Sequence, residues 1–206
     1  RRIAQHKLLL DTALVIVAEG GFQSLTIASL AERAEVATGT VYKYFTSKAE
    51  LCAEVFRVAT EKEVRQVTLA AFPDESLGED IKNVSQLPQK NCRQRLYKAL
   101  EIFSLRALAG RKLAYALIAE PVDSMVQEER LKYRSAYAEI FERLICEGSE
   151  KGEFAAQKAR ISAAALVGAL AETLLGSIAL AKVNSLDDQQ HEWLQEIIDF
   201  CMSAIL

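Results

Sequence analysis

The chain reads as an all-α protein of about nine helices. Three observations lead there. Proline and glycine are scarce, three and nine in 206 residues, which leaves few tight turns for strands to use. Ala, Leu, Glu and Lys, all good helix formers, are plentiful. Apolar residues recur at three- and four-residue spacing along most of the chain.

The spacing predicts a first helix over 3–19, with Leu10, Ala13, Leu14, Val17 and Ala18 on one stripe and Gly20-Gly21 as the stop. Thr26 is placed to cap a short second helix whose inner face is Ile27, Leu30, Ala31 and Ala34. After a break at Val36-Ala37, a third short helix runs to about Tyr44, with Val41 and Phe45 inward. Ser47-Lys48-Ala49-Glu50 reads as a capping box, the serine accepting the amide of Glu50 while Glu50 reaches back. It opens a fourth helix to about Ala71 with Leu51, Val55 and Phe56 inward.

Residues 72–90 hold Pro73, Pro88 and Gly78 and read as a loop between two parts. Helices follow at 91–109, 111–119 and 124–150. The last is capped by Asp123, carries Tyr133, Tyr137, Ile140, Phe141 and Leu144 on one side, and ends around Gly148 and Gly152. Residues 159–182 form a very apolar helix. Ser185 to Asp188 caps a final one, in which Leu194, Ile197, Ile198, Cys201, Met202 and Ile205 make an amphipathic stripe.

The net charge of −3 argues against general polyanion binding, although residues 1–60 carry a net +1 and residues 61–206 a net −4. Cys52, Cys92, Cys146 and Cys201 are far apart, which fits reduced, buried thiols in a cytoplasmic protein. The chain begins at Arg1 rather than Met, so native residues are expected to precede it. The two histidines, His6 and His191, stand at opposite ends, and there is no glycine-rich phosphate loop, metal-spaced Cys/His cluster or nucleophile elbow. An enzyme, a metal site and a cofactor are therefore not expected.

The second and third helices, joined by a short turn, have the helix-turn-helix layout, in which the second member enters the major groove. In VATGTVYKYF, residues 36–45, Val41 and Phe45 take the core side. That leaves Thr38, Gly39, Thr40, Lys43 and Tyr44 outside, with Tyr42 between the two sides. Threonine hydroxyls bond phosphates or base edges, glycine admits close backbone approach, and tyrosine and lysine reach phosphates. Lys48 adds a cation beside free helix-start amides.

The stretch LTIASLAERAEVATGTVYKYFTSKAEL, residues 25–51, resembles the DNA-binding signature of tetracycline-repressor-type (TetR family) transcriptional regulators. The match includes Thr26, Leu30-Ala31, Val36, Gly39-Thr40, Tyr42, Tyr44-Phe45 and Lys48. The resemblance implies a DNA-binding domain over 1–48 and a ligand-binding and dimerisation domain over 49–206, with a linking helix at 49–71. It implies that Thr26 caps the second helix and meets phosphate, that Thr38, Gly39, Thr40 and Lys43 lie against the major groove, and that Tyr42, Tyr44 and Lys48 contact phosphates. One position departs: many members carry a capping serine where this chain has Ala37, so Thr38 is expected to take over the cap with a shifted start.

Ile161 to Ala181 carries one charge, Glu172, and has the length of a membrane span. Its alanine content and the mid-helix acid argue instead for burial among helices, so no membrane partner is expected. Small residues such as Ala164, Gly168 and Ala171, with Leu175, suit close helix approach. Together with Leu194, Ile197, Ile198 and Cys201 they are expected to form a two-fold four-helix interface in a homodimer. Completion of the subunit's own core is the competing role for the same residues.

Candidate effector-pocket residues are Phe103, Arg106, Tyr115 and Tyr133, with Tyr137, Phe141, Glu172 and Trp193. Core packing is the competing role for the aromatics, and Glu120 is placed to pair with Arg130 or Arg134. The expected function is a ligand-responsive regulator, a repressor, which binds a palindromic operator on double-stranded DNA and is released by a small hydrophobic or amphipathic effector. A helical protein-interaction adaptor without DNA binding is the alternative.

Overall fold

In the computed structural model the described residues are 2–73, 91–180 and 188–206, and among them the chain forms nine helices and no strand. These are α1 (Arg2–Ser24), α2 (Ile27–Arg33), α3 (Thr38–Tyr42), α4 (Lys48–Ala71), α5 (Cys92–Ala109), α6 (Arg111–Ile118), α7 (Ser124–Glu150), α8 (Ala159–Leu180) and α9 (Asp188–Ser203). Most of the expected 72–90 loop, and the Ser185–Asp187 part of the expected last cap, lie outside the described residues.

α1 outlasts its expected glycine stop. Its path breaks only at Gly21, where φ is 77° and ψ 178°, a region that side chains avoid. The break turns Phe22 into the core. α7 likewise runs through Gly148. That glycine is needed for another reason: a Cβ there would stand 2.1 Å from the ring of Phe154, which folds back over the helix end.

Capping follows the sequence with two corrections. Ser47 accepts the amide of Glu50 at 3.1 Å, but the Glu50 carboxylate reaches one residue further than expected, taking the amide and hydroxyl of Thr46, both at 2.6 Å. α3 begins at Thr38 with Ala37 in the cap position, so Thr38 does not shift the start, and no side chain caps the first turn.

The buried side chains form two clusters. The first joins Leu9, Val17, Leu30, Val41, Phe45, Leu51 and Phe56 of the N-terminal helices. It also takes in Ala116 and Leu117 of α6 and Val126 of α7, so the later helices complete it. The second joins the end of α4 with α5, α7, α8 and α9. α7 is its axis, packed along both α4 and α8. Each fully buried Leu or Phe contributes about 1.5–3 kcal/mol, so both clusters hold the subunit firmly.

Leu194, Ile197, Ile198 and Cys201 are buried in the second cluster. The apolar stripe of α9 therefore packs on its own subunit, which corrects their expected place in a dimer interface. The physical reason is supply: α5 and α8 offer apolar surface close by in the same chain. The outward side of the pair is different. On α8, Ile161, Ala164, Gly168, Glu172 and Gly176 are exposed, with Leu175 half-buried, and on α9 Trp193 and Phe200 are exposed. α8 is long and apolar enough to cross a membrane by length and composition, yet its inner side is core.

Three of the four thiols are buried as expected; Cys146 is exposed. Burial pushes the Cys52 and Cys201 thiols up to about 11, so both stay protonated.

Candidate nucleic-acid interface and internal cavity

The helix-turn-helix is built from short-range bonds. The Thr26 hydroxyl accepts the amide of Ser29 at 3.0 Å, and the Ser29 hydroxyl accepts the amide of Thr26 at 2.9 Å, closing a capping box on α2. Glu35, at φ 53°, turns the chain between α2 and α3. Val41 and Phe45 are fully buried beneath the third helix and its exit.

That packing leaves a polar outer face. Thr26, Thr38, Gly39, Tyr42, Lys43 and Lys48 are exposed, and Thr40 and Tyr44 are half-buried. Tyr42 is therefore a surface residue. A Cβ on Gly39 would meet nothing within 4 Å, so no internal contact demands glycine there. His6, not marked by any sequence signal, ties this region together. Its ring stacks on Phe45 at 5.3 Å and lies 5.9 Å from Tyr44, and its Nε2 is 3.2 Å from the carboxylate of Glu54.

A cavity of about 480 Å³ opens among α4, α5, α6 and α7. Val67, Phe103, Ala107, Leu113, Ala114, Leu117 and Ile118 make its apolar wall. Its polar wall has four members. Arg106 grips Glu63 through Nε at 2.5 Å and Nη2 at 2.8 Å, and the hydroxyls of Tyr133 and Tyr137 meet at 2.9 Å. Burial pushes both phenols well above their ordinary range, and Glu63 holds the Arg106 guanidinium firmly charged.

The cavity and the N-terminal apolar cluster share α6. Leu117 lines the cavity and also belongs to the N-terminal core. Beyond it, the Glu120 carboxylate accepts the amides of Phe22 and Gln23 at 2.8 and 2.9 Å. Lys112 donates to the carbonyl of Glu19 at 3.0 Å. Glu120 thus serves α1, not the expected Arg130 or Arg134 pair. Arg130 is buried and donates to the main-chain oxygens of Leu117, Ala116 and Glu120, fixing the end of α6.

Residues 9–55 match the family model described as bacterial regulatory proteins, tetR family. Over those residues the chain is similar to that family. Curated relatives match over short stretches. The chain is 45% identical over 47 residues to the HTH-type transcriptional repressor KstR of Mycolicibacterium smegmatis, covering 23% of each chain. It is 30% identical over 91 residues to KstR of Mycobacterium tuberculosis, covering 42% of this chain and 41% of that one. The chain thus spans well under half the length of these relatives in the matched region. The fold is shared more widely. The transcriptional regulator FadR from Bacillus subtilis, solved in complex with stearoyl-CoA, superposes with a TM-score of 0.73 at 16% identity, covering 97% of this chain and 99% of that one.

The expected pocket residues separate in the structure. Phe103, Arg106, Tyr133 and Tyr137 line the cavity. Phe141 is fully buried in core packing beside it, while Tyr115, Glu172 and Trp193 are exposed and point elsewhere. Glu172 meets the demand for a partner through solvent, because the outer side of α8 is uncovered in the single subunit. Sequence reasoning missed Glu63, Leu113 and Leu117, which come from helices whose periodicity marks them as ordinary surface or core positions.

Proposed function

We propose that the chain is a ligand-responsive transcriptional repressor. It acts as a cytoplasmic homodimer that binds a two-fold palindromic operator and releases it when a small hydrophobic or amphipathic effector enters the cavity. The observation that carries this reading is the double role of Leu117, which lines the cavity and also belongs to the apolar cluster that takes in Val41 and Phe45. A ligand that displaces α6 must also move Glu120 and, through it, the Phe22–Gln23 turn of α1. An effector with higher affinity for the displaced arrangement shifts the population toward it.

For DNA, the proposed contacts are Thr38, Gly39, Thr40 and Lys43 at the groove, and Thr26, Tyr42, Tyr44 and Lys48 at phosphates. For the dimer, the proposed face is the outer side of α8 with Trp193 and Phe200 of α9, replacing the inward stripe of α9. Exposed aromatics beside a track of small residues suit a partner helix pair. Long-chain acyl compounds are the first effectors to test, since the structurally similar FadR is held with stearoyl-CoA.

Selection of bound sites from a random DNA pool tests the reading. A palindromic winner, released by an effector in a gel shift, supports it. A protein that enriches no sequence leaves only the adaptor reading.

A further inference from the structure

The polar wall of the cavity has an imbalance of hydrogen-bond donors. Each phenol carries one O–H proton. The Tyr133 and Tyr137 hydroxyls bond each other, which uses one proton and leaves the second without an acceptor among the described residues. Both phenols line the cavity, so the spare donor is held at its wall whichever of the two carries it. A buried donor left unmade costs about 1–3 kcal/mol.

The charge at the same wall is already balanced. The Glu63 carboxylate takes two bonds from Arg106, so the pair presents no net charge to a ligand. A ligand carboxylate would face Glu63 with its countercharge already engaged, and a ligand ammonium would meet Arg106. Either would give up hydration without gaining a free opposite charge. The rest of the lining is aliphatic or aromatic.

We propose that the cavity selects an uncharged carbonyl acceptor, a ketone, ester or thioester, carried on an apolar body and received by the spare Tyr133–Tyr137 hydroxyl proton. The proposal rests on the cavity being the effector site. Proton counting gives it a specific signature. The wild type has two phenol protons and one internal bond, leaving one to donate. Tyr133→Phe or Tyr137→Phe leaves one proton and no internal bond, so one is again free. The double variant has none.

The experiment measures displacement of Nile red from the purified full chain by decan-2-one, decanoate, decylamine and decane. In the wild type decan-2-one should displace at a concentration about tenfold lower than decanoate or decylamine, the worth of one good hydrogen bond. Each single variant should keep that preference within about threefold. The double variant should lose it while decane competes as before, with unchanged circular dichroism. Equal or tighter binding of decanoate or decylamine, or a ketone preference that survives in the double variant, overturns the proposal and leaves the cavity reading intact. Failure of all four compounds to displace the dye overturns the cavity reading and the proposal together.

Discussion

The carboxylate of Glu120, at the end of α6, accepts the main-chain amide of Phe22, in the turn that closes α1, at 2.8 Å. A second bond, to Gln23 at 2.9 Å, makes the grip bidentate. Both amides belong to the turn forced by Gly21, and a Cβ on that glycine would stand 2.6 Å from the same carboxylate. One acid thus ties the end of α1 to the end of α6, the helix that also lines the cavity.

Removal of that acid should be costly. Glu120→Ala leaves two amides without their acceptor, and hydrogen bonds to a charged group contribute about 1.5–3 kcal/mol each. Urea unfolding should show a loss of about 3–6 kcal/mol. Gly21→Ala should lose at least about 2 kcal/mol from its backbone conformation alone. Because the added methyl would strike Glu120, the double variant should be less destabilised than the sum of the singles. Strict additivity would show that the two positions are independent.

Acid should weaken the fold in a defined window. Hydrogen bonds from Arg95 and then Lys151 hold the Glu147 carboxyl down to about 2, from an ordinary 4.5. A carboxyl with a depressed folded value stabilises when ionised. Its contribution is complete above about 4.5 and is lost as the pH falls toward 2. The Lys151 arm is open to solvent, so screening keeps the effect near 1 kcal/mol or less. Glu147→Gln should flatten the stability profile between these limits, and an unchanged slope would exclude this pair as its source.

α3 lacks a side-chain cap, since Ala37 holds the cap position. Ala37→Ser supplies an acceptor for a first-turn amide and should raise thermal stability by about 0.5–1 kcal/mol. A drop in stability would mean that the extended backbone at Ala37 does not admit the capping rotamer.

Under the proposed function, DNA affinity should fall linearly with the logarithm of salt concentration. Lys48 is exposed at the start of α4, and loss of one phosphate contact lowers the slope of log K against log salt by about 0.9. Lys48→Ala should show that change across DNA sequences alike. An unaltered slope would remove Lys48 from the interface.

Assembly has its own probe. A Cβ on Gly168 meets nothing within 4 Å inside the subunit. Gly168→Trp should therefore leave the subunit folded but block close approach of a second α8. For the proposed dimer, light scattering should then report 22.8 kDa in place of twice that mass. A variant that remains a dimer places the interface elsewhere.

The helices themselves were legible in the sequence, because their determinants are local. Periodicity marked Val41 and Phe45 as core, and Thr26, Ser47 and Asp123 cap the helices that follow them. The outer face of the recognition segment was legible for the same reason: five residues of a short helix can hide only one side. What only the tertiary structure decided are pairings between distant helices. Glu63 meets Arg106 across 43 residues, and Glu120 meets Phe22 across 98. An acid's partner depends on which helices pack side by side, and no local spacing encodes that. The stripe of α9 makes the same point from the apolar side. Its pattern showed that Leu194, Ile197 and Ile198 must be buried, but burial by the subunit and burial by a partner satisfy the hydrophobic effect equally. Packing against α5 and α8 decided between them and left Trp193 and Phe200 facing out.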